Sequence, residues 1–158
     1  MAHTRERMKG RRERGTFSML VHNYFTSPQY AQLSPRALKV LIDLLTQYRG
    51  QNNGDLVATW PIMKKLGWTS YDQLYKGIAE LKERGWIEIS RQGDNRRPTL
   101  YALTFLPINE CGGKLDIPVT KTASHLWKYG TAKEKTALRS AEHSAPLGGL
   151  KLRATANL

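Results

Sequence analysis

The chain has 158 residues, enough for one domain of ordinary size with tails but not for a second comparable core. Its 25 lysines and arginines outnumber 13 acidic residues, a formal net charge of +12, so a polyanionic partner is expected, nucleic acid ahead of an anionic membrane surface. The single cysteine, Cys111, excludes an intrachain disulfide and a cysteine-rich zinc site, and His3, His22, His125 and His143 lack ligand spacing, so no metal or other cofactor is expected.

Residues 1–15 carry six basic and two acidic residues, a net of +4, and lack any apolar period. They read as a disordered basic arm, with Arg11, Arg12 and Arg14 as candidate phosphate contacts. The arm has no apolar core of the kind a secretory signal needs, and the longest apolar stretch, near Leu38 to Leu45, is interrupted by Lys39 and Asp43. No membrane association is expected, and the expected location is cytoplasmic and nucleoid-associated.

From Thr16 to Leu33 an aromatic-rich lead-in includes a short helix started by Ser27-Pro28. Residues 34–50 then read as a helix with Ser34 as N-cap, Pro35 at N1 and Gly50 as its stop. Leu38, Leu41, Ile42 and Leu45, with Val40 and Leu44 beside them, make it central and mostly buried. Residues 51–54 are turn chemistry, and residues 55–58 suit a short strand.

Thr59 and Pro61 start a short helix that ends at Gly67 and buries Ile62, Met63 and Leu66. Only Gly67-Trp68-Thr69 separates it from a second helix, in which Ser70 and Gln73 have capping-box spacing, Leu74, Ile78 and Leu81 form the buried stripe, and Gly85 is the stop. Two helices joined this tightly form a helix-turn-helix. The period then changes to two: residues 86–91 and 99–105 read as antiparallel strands around the basic, turn-forming loop 92–98. Residues 106–118 read as an extended segment against the core. Residues 119–158, with a net charge of +5, read as a basic tail with a short helix at 121–129 and disorder beyond it.

The order from Ser34 onward, an α+β arrangement of helix, strand, helix, helix, strand, wing and strand, resembles the winged helix-turn-helix superfamily over residues 34–105. The run from Thr69 to Leu81, followed by Gly85-Trp86-Ile87, is similar to the Ser-x-x-x-Leu-x-x-Ala-Ile-x-x-Leu then Gly-x-Ile pattern. That pattern occurs in small bacterial, phage and plasmid regulators and in replication-initiator amino-terminal domains. Gly77 departs from the usual Ala, which weakens the helix by about 1 kcal/mol and marks a close helix contact.

The resemblance implies a double-stranded DNA partner whose major groove receives the second helix of the motif. Its outward positions are Ser70, Tyr71, Asp72, Gln73, Tyr75 and Lys76. Gln73 suits adenine, Lys76 suits guanine or phosphate, and the tyrosine hydroxyls suit backbone oxygens; Asp72 reads instead as a helix-dipole partner or a cytosine reader. On the wing, Arg91, Asn95, Arg96 and Arg97 are candidate contacts to phosphate or an adjoining minor groove, and Lys64 and Lys65 on the preceding helix are further phosphate candidates. Trp60, Trp68 and Trp86 read as core and turn anchors, and no solvent-facing aromatic row is expected.

No catalytic motif is present: G-x-S-x-G, H-E-x-x-H and G-x-x-x-x-G-K are all missing, and Gly112-Gly113-Lys114 lacks the rest of a phosphate loop. The expected function is therefore non-enzymatic DNA binding, by a transcriptional regulator or a replication-origin module, with homodimerisation as the regulator's usual form. The alternative is a winged-helix adaptor that docks on a protein or nucleoprotein complex, with nonspecific nucleic-acid contacts through its tails. It is suggested by Asp72, Glu80 and Glu83 offsetting Lys76, Lys82 and Arg84.

Overall fold

Ser27, Ser34 and Ser70 each open a helix, their hydroxyls accepting the backbone N–H three residues on, from Tyr30, Ala37 and Gln73. The computed structural model describes residues 18–129, and the helices in that span are α1 (His22–Phe25), α2 (Pro28–Ala31), α3 (Pro35–Leu45), α4 (Trp60–Lys65) and α5 (Tyr71–Glu83). Strands β1 (Leu56–Val57), β2 (Ile87–Arg91) and β3 (Leu100–Leu103) form one antiparallel sheet in the order β1-β3-β2. Among the described residues this is an α+β fold of five α-helices and a small three-stranded sheet, a layout compatible with a winged helix. The basic arm, with Arg11, Arg12 and Arg14, and the tail beyond Tyr129 lie outside the described residues.

The helix expected over 34–50 ends at Leu45. Beyond it the Gln47 side chain pairs with β1, donating to the Val57 carbonyl at 2.9 Å and accepting the Val57 N–H at 3.0 Å. That bridge competes with helical continuation, and Gly50, at φ +98°, turns a loop rather than capping the helix. The helix expected over 121–129 shrinks to one 3-10 turn, Leu126–Tyr129, because His125 takes φ +48° and breaks the run before it. Residues 119–129 nonetheless join the core, since Trp127 stacks on buried Trp86 with ring centroids 4.9 Å apart. A one-turn helix, α1, also stands where only a lead-in was expected.

The core forms where α3 crosses α5. Ala37, Val40, Leu41 and Leu44 face Leu74, Ile78 and Leu81, while Trp86, Ile87 and Leu103 close the sheet side. Gly77 lies in that crossing: a Cβ there would sit 3.0 Å from Val40 Cγ2 and 3.1 Å from the Arg36 carbonyl oxygen. The helix accepts a poor helix former so that the backbones can approach. Three expected core residues are instead exposed, Ile42, Ile62 and Leu66. In the six-residue α4 only Met63 is fully covered, because so short a helix directs few positions inward.

Polar clamps fix α5 against α3 and against the turn before it. The Glu80 carboxylate accepts the Ser34 N–H at 2.8 Å and the Ser34 hydroxyl, so a residue of α5 satisfies the free amino end of α3. Trp68, in the turn between α4 and α5, donates its indole N–H to Asp43 of α3 at 2.6 Å, and Lys39 approaches the same carboxylate at 3.0 Å while donating to the Leu66 carbonyl. The orientation of the two-helix unit is thereby set by α3.

Candidate nucleic-acid interface

The tight turn delivers α5 with one flank on the core and the opposite flank in solvent. Tyr71, Asp72, Gln73, Tyr75 and Lys76 are exposed, and Ser70 is half-buried as the N-cap. Ser70 and Gln73 form only half of a capping box: the Ser70 hydroxyl accepts the Gln73 N–H at 3.3 Å, whereas the Gln73 side-chain oxygen accepts from Arg36 at 3.2 Å. Lys76 pairs with Asp72 at 2.8 Å, the favourable acid-before-base spacing of one helical turn. The outer face of α5 thus presents charges that cancel locally.

The β2–β3 loop is ordered by Asp94. One carboxylate oxygen accepts the N–H groups of Arg96 and Arg97, each at 2.8 Å, and the other accepts the Arg97 guanidinium at 2.9 and 3.0 Å. Those backbone and side-chain donors hold the Asp94 carboxyl below its ordinary pKa, the Arg96 N–H contributing most. At the neck of the loop, Gly93 lies so close to the returning strand that a Cβ would meet the Thr99 backbone nitrogen at 2.5 Å. Arg91 folds back, donating to the Pro98 carbonyl at 3.2 Å.

The sequence-selected cations therefore differ in availability. Arg97 and Lys76 have acidic partners and Arg91 braces the loop, while Arg96, Lys64 and Lys65 are exposed with no acidic partner among the described residues. Lys82, on the outer part of α5, is in the same state and had not been selected from the sequence. Asn95 is exposed at the loop tip.

Between α5, α4 and β3 opens a cleft of about 310 Å³. Tyr71 and Tyr75 stand on its helical side, their rings within 19° of parallel and 60% and 63% exposed. Trp60 meets Tyr71 edge-on at 5.8 Å, and Tyr101 rises from the sheet. Burial, then the nearby Tyr75 and Tyr71 hydroxyls, push the Tyr101 phenol above its ordinary pKa, keeping it protonated. This exposed aromatic surface corrects the expectation that none would be present. The residues come from three elements, and only their assembly brings the rings together. Trp68 and Trp86 are buried as expected, and Trp60 is partly buried at the cleft edge.

No family model, curated protein or solved structure matches this chain.

Among the described residues no group of three or more His, Cys, Asp or Glu side chains is placed to hold a metal ion, and no helix is long and apolar enough to cross a membrane. Cys111 is half-buried, donates weakly to the Asn53 carbonyl at 3.6 Å, and has its thiol pKa raised chiefly by burial.

Proposed function

We propose that this chain is a winged helix-turn-helix protein that binds double-stranded DNA, as a transcriptional regulator or a replication-origin module of a bacterium or mobile element. The observation that carries the reading is the placement of α5, exposed along one flank, beside a β2–β3 loop whose Arg96 is exposed without an acidic partner. In this reading α5 enters the major groove, the β2–β3 loop is the wing, and Lys64, Lys65, Lys82 and Arg96 hold the phosphates. Gln73 and Lys76 offer hydrogen-bonding groups to base edges once released from Arg36 and Asp72, and Tyr71 and Tyr75 face the backbone or an opened base step.

Fluorescence anisotropy on a random-sequence duplex tests it. Four exposed cations, Lys64, Lys65, Lys82 and Arg96, give an expected slope of log affinity against log salt of about −3.6, with Arg96→Ala making it shallower by about 0.9. Binding that is absent at low salt, or that ignores salt, removes the proposal.

A second reading, docking on a protein or nucleoprotein partner, is favoured by two observations: the Asp72–Lys76 pair neutralises the outer face of α5, and Ile62 and Leu66 of the α4 segment are about two-fifths exposed. Retention of a stoichiometric protein partner by both wild type and Arg96→Ala, together with duplex affinity that Arg96→Ala and Gln73→Ala leave unchanged, would favour it over the first.

A further inference from the structure

We propose that the cleft between α5 and the β2–β3 hairpin receives an unstacked DNA base, so that the protein prefers DNA with an unpaired segment over continuous duplex. The inference rests on the DNA-binding reading and adds to it the state of the DNA that is recognised. Helix entry into a major groove requires no aromatic platform, yet this helix carries two large rings exposed over most of their area, at a one-turn spacing that brings them near parallel.

The chemistry of the cleft selects the occupant. Trp60, Tyr71, Tyr75 and Tyr101 supply flat π faces, Thr59 and Thr99 supply hydroxyls at the rim, and Leu74 and Ile78 form an apolar floor. No acidic residue lines it. A flat ring system with hydrogen-bonding edges fits this lining better than an aliphatic side chain does, because it gains from every aromatic face and its edges meet hydroxyls. The 310 Å³ volume is at the small end for a ligand site, in keeping with one base rather than an extended chain.

The surroundings supply what a phosphate backbone needs on either side of that base. Thr99, in the lining, closes the hairpin that carries Arg96. Along α5, Tyr71, Tyr75, Ile78 and Lys82 fall at i, i+4, i+7 and i+11 and so share a flank, on which Lys82 ends exposed beyond the rings. A strand leaving duplex form can thus run from the hairpin arginine to the helix lysine with its base turned into the cleft. Base–aromatic stacking contributes enough per base to give about a tenfold preference.

The test compares three DNAs by anisotropy at several salt concentrations: a paired duplex, the same duplex with a short central mismatched bubble, and that bubble carrying 2-aminopurine. Expected are a bubble-to-duplex affinity ratio of about ten for wild type, a ratio that survives added salt while both affinities fall, and quenching of 2-aminopurine fluorescence on binding. The Tyr71→Ala/Tyr75→Ala double variant should bring the ratio to about one and abolish quenching, whereas Tyr71→Phe/Tyr75→Phe should retain both, since the rings remain. Both tyrosines are exposed, and thermal melting checks that each variant is folded. Wild-type duplex binding with a ratio of one overturns the cleft proposal alone, as does a ratio that persists in the double alanine variant. Absence of binding to every DNA overturns the DNA-binding reading as well.

Discussion

Asp94→Asn should strengthen duplex binding and steepen its salt dependence. In the wild type the aspartate holds the loop with one oxygen and the Arg97 guanidinium with the other. Asparagine keeps a side-chain carbonyl for the Arg96 and Arg97 N–H groups but has no second, anionic oxygen for the Arg97 guanidinium, so the loop keeps its shape and Arg97 becomes available. The loop's formal charge rises from +1 to +2 when Asp94, Arg96 and Arg97 are counted. One added phosphate contact adds about 0.9 to the magnitude of the salt slope, so an about fourfold rise in salt should erode the variant's advantage about threefold. Anisotropy titrations of both proteins on one duplex measure this, with Asp94→Ala as control because it removes the loop-ordering acceptors together with the charge. Weaker binding by Asp94→Asn with an unchanged slope would refute the reasoning, since Arg97 would then be held by the loop for structure alone. The depressed Asp94 pKa keeps the carboxylate ionised above its unfolded value, so its pairing contributes at neutral pH and is lost only as pH falls through the lowered folded value.

Glu80→Ala should cost about 2 kcal/mol by removing two charge-assisted bonds to Ser34 at the α3 amino end, seen as a Tm lower by about 8 °C; an unchanged melt would show that water replaces the carboxylate without loss. Gly77→Ala gains about 1 kcal/mol in helix propensity but must displace Val40 and the Arg36 carbonyl, so denaturant unfolding should show a net loss of about 1 kcal/mol. A net gain would mean that α3 can retreat without cost. Burial, then the charge of Lys128, lower the His125 pKa, so the unfolded chain binds that proton first and stability should fall as pH drops from about 6.5 toward the lowered value. His125→Gln should flatten that part of the profile, read as denaturation midpoints across it.

Helices α3 and α5 were legible because their signals are local: Ser34-Pro35, Ser70 and the Leu74, Ile78, Leu81 stripe need only their own neighbours to declare a helix. Gly77 was also legible as a point of close contact. Asn53 was not, although it is fully buried and organises the region between β1 and the segment after β3. Its side-chain nitrogen donates to the Leu103, Leu106 and Pro107 carbonyls, and its oxygen accepts the Leu103 N–H at 2.7 Å. Nothing in Gln51-Asn52-Asn53-Gly54 separates that hub from its turn-forming neighbour, because all of its partners lie at least fifty positions away. Arg36 was missed on similar grounds, reaching Gln73 from 37 positions off. The aromatic cleft was hidden because Trp60, Tyr71 and Tyr101 belong to three elements, and sequence shows each as a separate aromatic residue.

If the surface binds DNA as proposed, attraction and discrimination reside on different parts of it. The outer charges of α5 cancel through Asp72 and Lys76, so the helix adds little long-range pull, while Lys64 and Lys65 on α4, Arg96 on the hairpin loop and Lys82 beyond the rings on α5 have no acidic partner among the described residues. Coulombic attraction to phosphate is diluted by salt and indifferent to sequence; stacking of a base in the aromatic cleft would be neither long-ranged nor strongly salt-dependent. Such a division separates the consequences of mutation. Loss of Arg96 should act on the salt slope for every DNA, and loss of the tyrosine rings on the ratio between DNAs. The Glu80, Gly77 and Asp43 contacts with α3 and the turn keep the helix from turning when either is changed, so the two effects should combine additively in one protein.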